Sequence, residues 1–249
     1  MPDGACAGEI LRVPFKHRKT AMKITVLPTG TIETWLHLHA RPLKRAENIR
    51  ISVPVPCYLI EHGGKKFLFD AGQKPLKKVQ DPLAMYLVKV KPEETAVELL
   101  AAKGIAASNI DYVIISHAHG DHYAGLVDFP QAKVIAQSAA AESLKKVFPN
   151  EFITIDGKYD CLDDGAIVCI PTPGHAPGHQ SLLLTRDDGS RILLVGDVVY
   201  MPEAVDYEPT AGEYSGNPEY FDSIRLLRSM QADGVELCFG HDPYTLVQI

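Results

Sequence analysis

Four apolar runs in this chain stop on a histidine or an aspartate: "DYVIISHAHGDH" at 111–122, "AIVCIPTPGH" at 166–175, "RILLVGD" at 191–197 and "VELCFGH" at 235–241. A short apolar run bounded by turn residues reads as a buried strand. A carboxylate left at the end of such a strand is costly unless it is paired or metal-bound. The recurrence therefore favours a fold that brings these strand ends to one edge of a sheet, where their loops support a common site.

The densest of these ends holds His117, His119, Asp121 and His122. Imidazole and carboxylate donors together suit zinc and other borderline divalent metals. So short a stretch cannot turn all four groups onto one ion without strain. Two adjacent ions account for the density, one taking His117 and His119, the other Asp121 and His122. Downstream, His175 and His179 flank a turn rich in glycine and proline, and spacing alone does not choose the ligand between them. Asp197 has two carboxylate oxygens and is able to bridge two ions, and His241 closes the set. A polar surface loop would offer a blander origin for the first cluster, but three of the ten histidines crowd here behind an apolar strand. His37 and His39 read as strand-face or pocket residues, and His17 and His62 as solvated.

Elsewhere strands and helices mix. "VPCYLIEHGGKKFLFDAG" reads as two strands around Gly63-Gly64. "PEETAVELLAAKG" reads as a helix opened by Pro92 and closed by Gly104. "KVIAQ" is a strand, "SAAAESLKKVF" a helix capped by Ser138, "QSLLLTRDDGSRILLVGD" a hairpin and "PEYFDSIRLLRSM" a helix. Hairpins alternating with helices indicate mixed sheets with helices outside. Segments 73–92 and 201–217 resist assignment, and long loops in compact domains often serve as lids.

The 249 residues suffice for one sizeable core, with residues 1–21 read as an N-terminal extension and 22–249 as a single domain. A net charge of −6 argues against general nucleic-acid binding. No apolar run reaches the length of a bilayer span, and the N-terminus lacks the apolar stretch of a secretory signal. The five cysteines form no C-x-x-C; Cys57, Cys169 and Cys238 lie in apolar runs and read as buried free thiols in a reducing, cytoplasmic compartment.

The chain resembles the metallo-β-lactamase superfamily. "SHAHGDH" matches its H-x-H-x-D-H motif, and His175, Asp197 and His241 follow in the family's order. Within that superfamily, "TPGHAPGHQSL" at 172–182, Tyr200 shortly after Asp197, "FGHD" at 239–242 and "VPCYLIE" are similar to the N-acyl homoserine lactonases. The resemblance implies an α/β fold, an αβ/βα sandwich of two mixed sheets flanked by helices. It implies two divalent metal ions, zinc first, with manganese, iron or cobalt accepted by the same donors. One ion falls to His117, His119 and His175, the other to Asp121, His122 and His241, with Asp197 bridging and His179 left structural. The implied reaction is hydrolytic opening of a small-molecule lactone, the quorum-quenching activity. Tyr200 would stabilise the carbonyl oxygen or the substrate amide, and Asp121 would pass a proton to the leaving oxygen. Met85, Tyr86, Leu87, Met201 and Tyr207 offer an apolar wall for an acyl chain, or equally the packing of a lid or a contact in a homodimer. Gly120 stands where the better-known lactonases often carry a bulky apolar residue, which bears on acyl-chain preference. Two other readings compete: hydrolysis of another lactone, ester or thioester, and a non-catalytic metal-binding module. The second would normally have lost ligands, and all seven are present.

Overall fold

The computed structural model describes residues 21–36, 49–202, 205 and 217–243. Readings that fall on His17, His37, His39 and Tyr207, and on the extension apart from Ala21, lie outside the described residues. Among the described residues the strands form two mixed sheets. The first runs β4 (Leu87–Lys89), β1 (Lys23–Trp35), β2 (Arg50–His62), β3 (Lys65–Phe69), β5 (Tyr112–Ile114), β6 (Lys133–Gln137) and β7 (Phe152–Ile155). The second runs β12 (Val235–Phe239), β11 (Arg191–Gly196), β10 (Gln180–Thr185), β9 (Ile167–Pro171) and β8 (Tyr159–Asp160).

The first sheet is antiparallel through β1, β2 and β3, then parallel from β3 through β7. The second is antiparallel except where β11 pairs parallel with β12. Its apolar runs follow from burial on both faces. Tyr58, Ile60, Phe67, Phe69 and Ile114 of the first sheet pack against Ile167, Cys169, Leu182, Leu194 and Cys238 of the second. On the outer face of the first sheet, Leu59, Leu68, Val113 and Val134 meet α1 (Ala96–Ala101) and α3 (Ser138–Leu144). On the outer face of the second, Leu193, Val195 and Leu237 meet Tyr220, Ile224 and Leu227 of α4 (Pro218–Ala232). The layers are helix, sheet, sheet, helix, the αβ/βα sandwich that the sequence resemblance implied.

The helix α4 shows how local sequence sets an element. Asn217 caps it, its side chain accepting the Glu219 N–H, and Pro218 occupies the first turn. Tyr220, Ile224 and Leu227 recur at helical spacing and fill the sheet-facing stripe.

Local readings fare unevenly. The helix expected from Pro92 begins as a 3-10 turn at Pro92–Glu94 before α1. Segment 73–92 contributes the short strand β4. Ser138 does not cap α3: it is the first helical residue, Gln137 holds the cap position, and the Ser138 hydroxyl donates instead to Asp156. His62 is buried rather than solvated, because Asp164 in the turn between β8 and β9 folds over the hairpin end, with Nε2 2.9 Å from Oδ2. Cys57, Cys169 and Cys238 are buried free thiols, as read from their apolar runs.

Candidate metal centre

β3, β5, β11 and β12, together with the turn between β9 and β10, deliver their polar ends to one edge of the sandwich. After β5 the chain stays buried through Ser116 and His117. His119 then precedes a four-residue helix, α2 (Gly120–Tyr123). This turn of helix aims Asp121 and His122 Nε2 at Asp197 and His241 while the His117 and His122 rings stay 4.2 Å apart, so a six-residue motif serves two donor sets.

Each place gathers a separate set of donors. His117, His119, His175 and Asp197 present atoms within 4.8 Å of one another, and so do Asp121, His122, Asp197 and His241. In the first set the ring nitrogens form a triangle. His117 Nε2 lies 2.9 Å from His119 Nδ1, His175 Nε2 lies 3.0 Å from His119 Nδ1, and His175 Nε2 lies 3.2 Å from His117 Nε2. Tetrahedral zinc with ordinary Zn–N lengths spaces its ligands about 3.3 Å apart. In the second set, His122 Nε2 is 3.3 Å from both Asp121 Oδ2 and Asp197 Oδ1. His241 Nε2 is 3.3 Å from Asp197 Oδ2 and 3.6 Å from Asp121 Oδ2. Asp197 belongs to both sets, with Oδ2 also 3.5 Å from His175 Nε2.

The donor chemistry fits a pair of divalent cations. Among the described residues, His122 Nε2 and Asp197 Oδ1 are buried without hydrogen-bond partners, an expense that a cation between them removes. The outward ring nitrogens of His241, His122 and His117 are held by other groups, as metal-ligating histidines usually require. His241 Nδ1 donates to the Pro54 carbonyl at 2.8 Å, which turns Nε2 toward Asp121 and Asp197. His122 Nδ1 lies 2.7 Å from Asp70 Oδ2. His117 Nδ1 lies 3.0 Å from the Ser116 hydroxyl, which itself donates to Asp70.

His175 and His179 are now distinguished. His179 Nδ1 donates to the Thr172 carbonyl at 2.9 Å, and its Nε2 accepts the Asp197 N–H at 3.0 Å. Both nitrogens are committed to the scaffold, so His179 holds Asp197 in place while His175 faces the donors.

Protonation follows the same partition. Burial pushes His117 well below its ordinary value, His175 down to about 4 and His179 down to about 3, keeping all three neutral. Burial opposes charge on His122 and His241 too, but there the Asp197 carboxylate, with Asp121, outweighs it and raises both. Burial likewise works against ionised Asp121 and Asp197, yet the neighbouring imidazoliums hold both below the usual carboxylate range. The second set thus retains positive charge beside its carboxylates, in the form of protons that a metal would displace.

Asp70 escaped the sequence reading. It sits at the end of β3 with φ 59° and accepts from the Ser116 N–H at 2.7 Å and the Ser116 hydroxyl at 2.9 Å, besides facing His122. Its signal was present: "FLFDAG" is another apolar strand ending in an acid, the pattern that singled out Asp197.

His119, Asp121, His175, Asp197 and His241 form the floor of a cavity of about 630 Å³. Tyr200 stands in its wall, with its hydroxyl 3.4 Å from His175 Nδ1. Ile32, Leu76, Met85, Tyr86 and Val88 supply an apolar side, and Gly120 lies at its edge. Of the residues expected to form the apolar wall, Met85 and Tyr86 line this cavity, whereas Leu87 is buried in β4 and Met201 packs against Ile32, Val53 and Val55.

A family model for the metallo-beta-lactamase superfamily matches residues 51–241. This chain belongs to that superfamily. Its relatives include the N-acyl homoserine lactonase AttM of Rhizobium radiobacter, 27% identical over 251 residues that cover 90% of this chain and 94% of that protein. The N-acyl homoserine lactonase AiiA of Bacillus thuringiensis subsp. kurstaki is 29% identical over 211 residues, covering 77% of this chain and 82% of that one. In structure the superfamily member resembles an N-acyl homoserine lactone hydrolase with the product N-hexanoyl-L-homoserine bound at its catalytic metal centre. The TM-score is 0.78 at 25% identity, over 90% of this chain and 94% of the other.

Proposed function

We propose that this protein is an N-acyl homoserine lactonase that works with two divalent metal ions. The observation that carries the reading is the pair of donor sets sharing Asp197 beneath a cavity with one apolar side. The similarity to named lactonases over nearly the whole chain supports the same substrate class. His117, His119 and His175 would hold one ion and Asp121, His122 and His241 the other, with Asp197 between them. Bound there, two divalent ions supply Lewis acidity toward a carbonyl and a water acidified to near neutrality. Zinc suits these donors, and manganese, iron and cobalt are accepted by the same atoms.

The chain's own groups would do the rest. Tyr200 points a phenol into the cavity beside the donors, where it would donate a hydrogen bond to the lactone carbonyl as negative charge develops. The side chain of Asp121 is partly exposed at the cavity floor, which suits it to carry a proton to the departing ring oxygen. The apolar side would take the acyl chain.

The test is ring-opening of a short and a long N-acyl homoserine lactone by metal-quantified protein, with His119→Ala as control. Two metals per chain and fast turnover, lost in the variant, are the expected result. Two metals without lactone turnover would discard the substrate and direct attention to other esters and thioesters.

A further inference from the structure

Arg50 opens β2 opposite Trp35, its register partner at the end of β1. Its guanidinium lies over the Trp35 ring, 4.3 Å from the centroid. From there Nη2 donates to the Pro82 carbonyl at 2.9 Å and to the Ala84 carbonyl at 2.8 Å. These bonds reach a loop tip more than thirty residues further along the chain.

That tip leads directly into the cavity wall at Met85 and Tyr86. Burial does little to hold it: Leu83 is 81% exposed, Met85 54% and Tyr86 45%. Its internal bonds are local, with the Leu83 N–H donating to the Asp81 carboxylate and the Ala84 N–H to the Asp81 carbonyl. At the base, the Gln80 amide grips both backbone groups of Val88 at 2.7 Å. A segment with so few buried apolar contacts opens easily unless polar ties hold it.

We propose that Arg50 is a positioning residue for acyl-chain recognition, fixing the loop that presents Met85 and Tyr86 to the cavity. The proposal rests on the lactonase reading. Stacking on Trp35 orients the guanidinium plane, and one nitrogen serves both carbonyls. A lysine ammonium has no plane to stack and would meet the two carbonyls only as a mobile point charge. Loss of the tie would loosen the loop backbone that leads into Met85 and Tyr86, whose placement must then be completed by the substrate.

The experiment compares Arg50→Lys and Arg50→Ala with the parent, as metal-loaded full-length chains, on butanoyl and decanoyl homoserine lactone. The expected result is a rise in KM for the decanoyl substrate of about tenfold. Values of kcat, and KM for the butanoyl substrate, should stay within about twofold. Metal content should match the parent, and amide hydrogen exchange should quicken across residues 81–86 and not in the sheets. An active parent whose variants keep the same chain-length ratio overturns the role of Arg50. Equal losses on both substrates, accompanied by lost metal, also overturn it, since they mark a residue holding the whole fold. A parent inactive on both lactones overturns the lactonase reading itself.

Discussion

His179 Nε2 accepts the backbone N–H of Asp197 at 3.0 Å, and so a histidine that faces no metal donor set fixes the carboxylate shared by both. His179→Leu removes this acceptor and leaves a buried N–H unpaired. The expected cost is about 1–3 kcal/mol of stability. Chemical denaturation of the variant checks it; parent-like stability would mean that the Asp197 N–H finds another acceptor.

Asp70→Asn should weaken metal binding while leaving the donor sets themselves intact. The carboxylate faces His122 and accepts two hydrogen bonds from Ser116, so both sets feel its loss. Affinity should fall by about 10- to 100-fold, measured by competition with a chromogenic chelator. An unchanged titration would show that His122 is oriented without it.

Tyr200→Phe keeps the ring beside His175 and deletes only the hydroxyl. Metal content and melting temperature should hold. The turnover number should drop by up to about 100-fold, the scale of one oxyanion donor. A purely structural tyrosine would instead lower stability and spare kcat.

Gly120 is a free position: a Cβ built there meets nothing within 4 Å. Gly120→Leu should therefore fold as the parent does while narrowing the cavity. The ratio of long-chain to short-chain kcat/KM should change at least severalfold; an unaltered ratio would remove Gly120 from the substrate path.

Acid should destabilise the metal-free protein before its carboxylates titrate. His117, His175 and His179 all have folded values below the ordinary 6.5, with His175 at about 4 and His179 at about 3. Such groups contribute stability fully above pH 6.5 and lose it as pH falls toward the folded value, because the unfolded chain binds the protons first. His122 and His241 are raised, so they lose their contribution only as pH rises above that range. Denaturation midpoints should therefore fall steadily from pH 6.5 to pH 4.5. A flat profile would contradict the neutral, buried state of the three imidazoles.

Much of the site was legible because strand ends advertise it. His117, His119, Asp121, His122, Asp197 and His241 follow apolar runs, and an apolar strand ending in an ionisable group is conspicuous on energetic grounds. Asp70 carries the same signal in "FLFDAG", at the close of a hairpin. His62 and Ser138 depart from expectation for a different reason. Each meets an acid from another element, Asp164 or Asp156, and no local pattern announces that encounter.

The sequence by itself determined which residue types would stand at the strand ends, and hence the layered fold and the stock of metal donors. Only the tertiary structure decided which nitrogen of each histidine faces the donor sets. His175 and His179 lie in one turn, yet His179 is occupied by Thr172 and Asp197, and His241 is aimed by a carbonyl 187 residues away. Donor identity is a property of the side chain. Donor availability depends on the hydrogen bonds made by the other ring nitrogen, and those partners come from distant parts of the chain.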